Sequence, residues 1–134
     1  MVKKNACIFI SGTGTNLKAL IKSSREKNFP ININYVLSDT KNAKGLKFAK
    51  LYKIPFCVFD LNKIIDLEIF LTELHKKKIS LICLAGYMRI LNKKFLNRFN
   101  KKIINLHPSL LPKYKGLNTF KRVLKNKEKL TGCT

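Results

Sequence analysis

The run Ala6-Cys7-Ile8-Phe9-Ile10-Ser11-Gly12-Thr13-Gly14-Thr15-Asn16-Leu17 joins a short apolar segment to a glycine-bearing turn, and Leu17, Leu20 and Ile21 then follow at helical spacing. Strand, tight loop and helix are the elements this order predicts. Apolar runs of strand length recur at Ala6 to Ser11, Ile31 to Ser38, Pro55 to Asp60, Leu81 to Ala85 and Ile103 to Leu106. Between them the spacing turns helical, through Phe48, Ala49 and Tyr52, then Leu67, Phe70, Leu71 and Leu74, then Leu91, Phe95 and Phe99. A last amphipathic stretch carries Leu117, Phe120 and Leu124. Strands alternating with helices of this length imply right-handed parallel βαβ units, with helices on both faces of the sheet. The expected fold is an open, doubly wound, mostly parallel α/β domain occupying residues 1–134.

With 134 residues and 46% hydrophobic content the chain is long enough and apolar enough for a real core. Its 28 basic against 7 acidic residues give a formal charge of +21, which attracts phosphates and carboxylates but says nothing about fold. The lysines are scattered through most segments and read as solvated faces, so no specific nucleic-acid partner is expected. The run Lys76-Lys77-Lys78 falls at a predicted helix end, where cations are favoured.

Cys7, Cys57 and Cys83 sit inside apolar runs as small hydrophobes, and no Cys-x-x-Cys pair is present. With Cys133, His75 and His107 as the remaining candidates, no metal-ligand spacing emerges, and a disulfide framework is not expected. The apolar start stops at Ser11-Gly12, too short for an export core, and no segment reaches membrane-span length. A cytoplasmic protein without a membrane partner is the expectation.

Three stretches carry chemistry. Gly12, Thr13, Gly14, Thr15 and Asn16 open the first helix, where backbone N–H groups and the helix dipole can hold a phosphate. Leu17 stands where the third glycine of a dinucleotide fingerprint belongs, and the P-loop lysine is missing, so the loop suits a single phosphate group. Gly86-Tyr87-Met88-Arg89-Ile90-Leu91 follows the fourth strand at the same edge of the sheet; Met88, Ile90 and Leu91 could line an apolar pocket while backbone groups bond a heterocycle. The third stretch is Asn105-Leu106-His107-Pro108-Ser109-Leu110-Leu111-Pro112. It follows Lys102-Ile103-Ile104, read as a buried strand, so Asn105 and His107 are expected at its carboxyl end and pointing the same way. Pro108 and Pro112 stiffen the chain after them. An amide and an imidazole converging on one point suit acyl chemistry, with Asn105 donating to an oxyanion and His107 moving a proton. His75 lies on a polar helix face, and Ser109 has neither a nucleophile elbow nor an evident base.

Together with Val36-Leu37-Ser38-Asp39 and Lys115-Gly116-Leu117-Asn118-Thr119, these motifs closely resemble the phosphoribosylglycinamide formyltransferases, folate-dependent enzymes of purine synthesis. The resemblance covers essentially the whole chain. It implies a Rossmann-like formyltransferase fold and transfer of a formyl group from 10-formyltetrahydrofolate to the amine of glycinamide ribonucleotide, without a metal. It assigns Gly12, Thr13, Gly14, Thr15 and Asn16 to the substrate phosphate, Met88, Arg89, Ile90 and Leu91 to the folate, and Asn105 and His107 to catalysis. Thr131-Gly132-Cys133-Thr134 resembles the start of the family's next strand, beyond which lies its catalytic aspartate. The expectation is therefore a fold lacking its C-terminal strands, and a chain that by itself shows little or no formyl transfer. Neither Asp39 nor Asp60 matches the aspartate's position. A formyltransferase acting on methionyl-tRNA shares the His-Pro-Ser-Leu-Leu-Pro run, and a noncatalytic polyanion-binding α/β module would make the charge itself the function.

Overall fold

The computed structural model describes residues 2–134. The element order is β1 (Lys4–Ile10), α1 (Thr15–Ser24), β2 (Ile31–Ser38), α2 (Leu46–Leu51), β3 (Phe56–Val58), α3 (Ile64–Lys76), β4 (Leu81–Leu84), α4 (Lys93–Phe99), β5 (Lys102–Asn105) and α5 (Thr119–Lys125). The strands form one sheet in the order β3-β2-β1-β4-β5, and β1 pairs in parallel with β2 and β4, as β2 does with β3. The α/β, doubly wound architecture is the one the sequence predicts. The chain divides into two compact units, Met1–Ile104 and Asn105–Thr134.

In the first unit β1 is the central strand and has no exposed face: Ala6, Cys7, Ile8, Phe9 and Ile10 are all fully buried. Alternation sends Ala6, Ile8 and Ile10 to one side, where they meet Leu17 and Ile21 of α1 and Leu46 and Ala49 of α2. Cys7 and Phe9 go to the other side, against Leu67, Phe70 and Leu74 of α3 and Phe95 and Phe99 of α4. Phe70 is the hub of that second layer, with ring centroids 5.5 Å from Phe9, 6.0 Å from Tyr35, 6.4 Å from Phe59 and 6.1 Å from Phe95.

Strand β2 departs from simple alternation. Ala6 pairs with Ile33 and Cys7 with Tyr35, so Asn34 is an extra residue opposite nothing. A bulge of this kind inverts the sidedness of the strand beyond it. Ile31 and Ile33 accordingly pack in the first layer, whereas Tyr35 and Leu37 pack in the second. Bulges are rare between parallel strands.

Two expectations need correction. The segment read as a buried strand is largely exposed: β5 stands last in the strand order of the described residues, and Ile104 is 54% exposed while Ile103 alone packs on the second layer. The apolar run was legible, but how much of it is covered depends on its neighbours in the sheet. In the second unit, α5 buries Thr119 and Val123 and leaves Phe120 and Leu124 exposed, as is Leu117 just before the helix. The i, i+4 pair that faces inward is thus one position off the stripe chosen by hydrophobicity.

All four cysteines are free thiols; Cys7 and Cys83 are buried, Cys57 is half-buried and Cys133 is exposed. Burial raises the Cys7 and Cys83 thiols above the usual range, and raises Cys57 to about 12. Mild alkylation of the folded protein at neutral pH is therefore expected to label Cys133 and spare the other three, checked by peptide mass mapping. Phe70→Ala should cost about 3–5 kcal/mol in urea unfolding, since it empties a fully buried site shared by four aromatic neighbours.

Candidate active site

The strand order reverses direction beside β1: the chain steps from β1 to β2 and β3 on one side, then returns to place β4 on the other. Loops leaving the carboxyl ends of β1 and β4 flank the crevice such a reversal creates. They are tied together. Ser11 donates its backbone N–H to the Gly86 carbonyl at 3.2 Å, and its Oγ accepts the Met88 N–H at 2.8 Å. The glycine loop and the Gly86–Leu91 stretch thus meet as the sequence predicts.

Gly14 is the N-cap of α1, with φ 76°. Two constraints act on it. The left-handed backbone disfavours a side chain, and a Cβ there would lie 2.4 Å from the Gly45 Cα. Gly45 is bound by the reciprocal contact, 2.8 Å from the Gly14 Cα, and its N–H donates to the Gly12 carbonyl at 2.9 Å. The loop after β1 is therefore shaped by the start of α2. Gly12 differs: it is exposed, and a Cβ there meets nothing within 4 Å. Thr13, Thr15 and Asn16 are exposed as well, around a helix start whose first-turn N–H groups lack partners within the helix. A phosphate is the ligand such a start accommodates best.

Met88 and Ile90 are 64% and 75% exposed, while Leu91 packs on the second core layer. Arg89 reaches across to β2, where its Nε donates to Asp39 Oδ2 at 3.1 Å. The Asp39 side chain is only 10% exposed, and its Oδ1 is buried with no partner among the described residues. Asp39 follows Ser38, whose buried hydroxyl donates to the Thr40 carbonyl at 2.8 Å and accepts the Thr40 N–H at 3.2 Å. That turn holds the carboxylate at the carboxyl end of β2. Sequence reasoning placed Asp39 at a strand end without giving it a role, and it missed Gly45, whose contact with Gly14 no local signal shows.

In the second unit Asn105 is exposed and His107 half-buried. Strand β5 ends at Asn105, two residues before His107. The imidazole is oriented by other means. Its backbone exchanges both hydrogen bonds with Thr134, at 2.7 and 2.9 Å, the arrangement of an antiparallel pair. Its Nε2 stands 3.0 Å from the Tyr114 carbonyl. A carbonyl only accepts, so Nε2 carries hydrogen and Nδ1 is left as the nitrogen with a lone pair in the neutral ring. Tyr114 is itself held, its hydroxyl donating to Glu128 at 2.8 Å and accepting from Asn126 Nδ2 at 3.2 Å. The Tyr114 hydroxyl and then the Lys113 ammonium hold the Glu128 carboxyl below its ordinary range. Ser109 is buried and donates to the Lys113 carbonyl at 2.7 Å, which marks it as structural. His75 is exposed in the last turn of α3.

The profile of the family described as formyl transferase matches residues 4–134. The chain belongs to the formyl transferase family. It is 40% identical over 135 residues to the phosphoribosylglycinamide formyltransferase of Haemophilus influenzae, covering 98% of this chain and 64% of that protein. It is 41% identical over 141 residues to the human trifunctional purine biosynthetic protein adenosine-3, covering 98% of this chain and 14% of that protein. Among solved structures, the phosphoribosylglycinamide formyltransferase of Anaplasma phagocytophilum superposes with a TM-score of 0.90 at 40% identity, over 99% of this chain and 63% of that one. The chain thus spans less than two thirds of the length of these relatives.

The two loop glycines should respond differently to substitution. Gly14→Ala forces a backbone clash in a left-handed conformation and should lower the melting temperature by several degrees or more, whereas Gly12→Ala should leave it within about 2 °C. Differential scanning calorimetry of the two variants checks this.

Proposed function

We propose that the chain takes part in transferring a formyl group from 10-formyltetrahydrofolate to the amine of glycinamide ribonucleotide. The observation that carries this reading is the pinned pair of loops at the β1–β4 reversal, in a chain about 40% identical to proteins named for that reaction. Gly12, Thr13, Gly14, Thr15 and Asn16 hold the phosphate through backbone N–H groups at the start of α1. Met88, Arg89, Ile90 and Leu91 receive the folate: Met88 and Ile90 offer exposed apolar surface to a flat heterocycle, and Arg89 is braced by Asp39.

The amine nitrogen attacks the formyl carbon, whose carbonyl electrons move onto oxygen to give a tetrahedral oxyanion. The Asn105 amide donates to that oxygen. Collapse re-forms the carbonyl and breaks the bond to folate N10, which takes up a proton while the attacking amine loses one. His107 Nδ1 is the ring atom free to carry that proton, because Nε2 is engaged by Tyr114. The chemistry proceeds without a metal in this proposal. Cytoplasmic residence is part of the same reading; among the described residues no helix is long and apolar enough to cross a membrane.

Gly12→Asp decides the phosphate assignment, since the position has room for the side chain and the new carboxylate repels the ligand. Calorimetry should show glycinamide ribonucleotide binding weakened about tenfold or more; unchanged affinity in a folded variant sinks the assignment. In a form extended to the length of its relatives, Asn105→Ala and His107→Ala should each lower formyl transfer about 10²–10³-fold with ribonucleotide affinity changed only a few fold. Near-normal turnover in either variant removes that residue from the mechanism. Binding of initiator methionyl-tRNA in place of the ribonucleotide would shift the reading to that other formyl acceptor.

A further inference from the structure

Tyr114 holds a backbone conformation that its own side chain disfavours. Its φ is 55°, in the left-handed region that bulky residues rarely enter, and such a residue persists only where its surroundings over-determine it. They do so carbonyl by carbonyl. Ser109 Oγ donates to the Lys113 carbonyl at 2.7 Å, His107 Nε2 stands 3.0 Å from the Tyr114 carbonyl, and Arg122 Nη1 donates to the Lys115 carbonyl. Three successive peptides are each taken up by a side chain, and the middle one takes the imidazole. Returning Tyr114 to an ordinary backbone conformation would turn that carbonyl away from the ring, so the strain is what presents the acceptor to His107.

The phenol is held as firmly. Its hydroxyl donates to Glu128 Oε1 at 2.8 Å and accepts from Asn126 Nδ2 at 3.2 Å, so residues following α5 fix it both as donor and as acceptor. Glu128 is fixed in turn: its N–H donates to the Val123 carbonyl at 3.3 Å, and Lys113 Nζ reaches the same Oε1 at 3.1 Å. With its carboxyl held below the ordinary range by the hydroxyl and the ammonium, Glu128 remains an acceptor at neutral pH. A turn that needed the left-handed conformation alone would be better served by glycine or asparagine. What tyrosine adds is the reach of its hydroxyl to the end of α5.

We propose that Tyr114, anchored through its hydroxyl by Glu128, is a positioning residue for His107: it keeps the imidazole hydrogen on Nε2 and leaves the Nδ1 lone pair for proton transfer. The task of that lone pair rests on the formyl-transfer reading, whereas the state of the ring is measured without turnover.

The chain has two histidines, so ring-nitrogen NMR of the isotope-labelled 134-residue protein reads each tautomer separately, with His75 in the last turn of α3 as the internal control. At about pH 9, above the ordinary histidine range, His107 is expected as the Nε2–H tautomer. In Tyr114→Phe, and likewise in Glu128→Ala, the ratio of Nδ1–H to Nε2–H at His107 should rise about fivefold, with His75 unchanged. Glu128→Gln keeps an acceptor oxygen and should restore most of the parent ratio. A parent His107 with its hydrogen on Nδ1, an unchanged ratio in Tyr114→Phe and Glu128→Ala, or an equal change at His75 overturns the proposal. Should either variant lose the backbone pairing of His107 with Thr134, seen in the Thr134 amide signal, Asn126→Ala at an exposed position decides through the hydroxyl's other partner. There a rise of about twofold is expected, and none overturns the proposal. Near-normal turnover after His107→Ala would instead remove the formyl-transfer role and leave the tautomer result standing.

Discussion

A parallel strand flanked on both edges and covered on both faces has no solvent-facing side, and β1 is in that position. Every residue from Ala6 to Ile10 is fully buried, so the strand must be apolar throughout and must send alternate side chains to two separate layers. Small Ala6 and branched Ile8 and Ile10 fit beneath α1 and α2, while Phe9 reaches into the aromatic layer beneath α3 and α4. The bulge at Asn34 serves the same two-layer demand one strand over. It lets β2 present Ile33 to the first layer and Tyr35 to the second within three residues.

Because β1 is fixed from both sides, the loop leaving it has a fixed origin, and its course is then set by a contact between two backbones. Gly14 and Gly45 approach so closely that neither position has space for a methyl group. Their meeting places the first turn of α1 against the start of α2, and the bond from Gly45 N–H to the Gly12 carbonyl closes the arrangement. Ser11 joins this rigid loop to the one after β4. Under the proposed function this loop holds its N–H donors in place before the phosphate arrives, which is the condition under which backbone N–H groups bind an anion tightly.

The strands and most helix faces were legible because their signals are local. Leu17 and Ile21, and Leu67, Phe70 and Leu74, each form a stripe at helical spacing, and the structure buries each stripe. Sheet position is not local, so the apolar run at Ile103 and Ile104 gave no indication that β5 would stand last in the strand order of the described residues, with Ile104 more than half exposed. Pairings across long sequence separations were equally hidden. Gly45 lies 31 residues beyond Gly14, and Arg89 lies 50 residues beyond Asp39. Asn105 and His107 were singled out by their chemistry and the family resemblance; β5 ends at Asn105, and His107 is held beyond it by its backbone pairing with Thr134. A carbonyl seven residues away, that of Tyr114, orients the imidazole, and nothing in a two-residue spacing points to it.

The two ends of the sheet now differ in what they ask of the basic residues. In a doubly wound fold the helices run antiparallel to the strands, so their positive ends gather at the strand carboxyl ends and their negative ends at the amino ends. Anion binding at the carboxyl ends therefore needs few cations, and Gly12 to Asn16 contain none. At the amino ends the same helices repel anions, and only a local excess of lysine and arginine can reverse the sign. Lys3 and Lys77 are largely consumed by that neutralisation, through helix carbonyls and Glu73. A formal charge of +21 is thus not one property of the molecule. At this face part of it offsets backbone dipoles and the Glu73 carboxylate, so the sum over the sequence overstates what this surface presents to an anion.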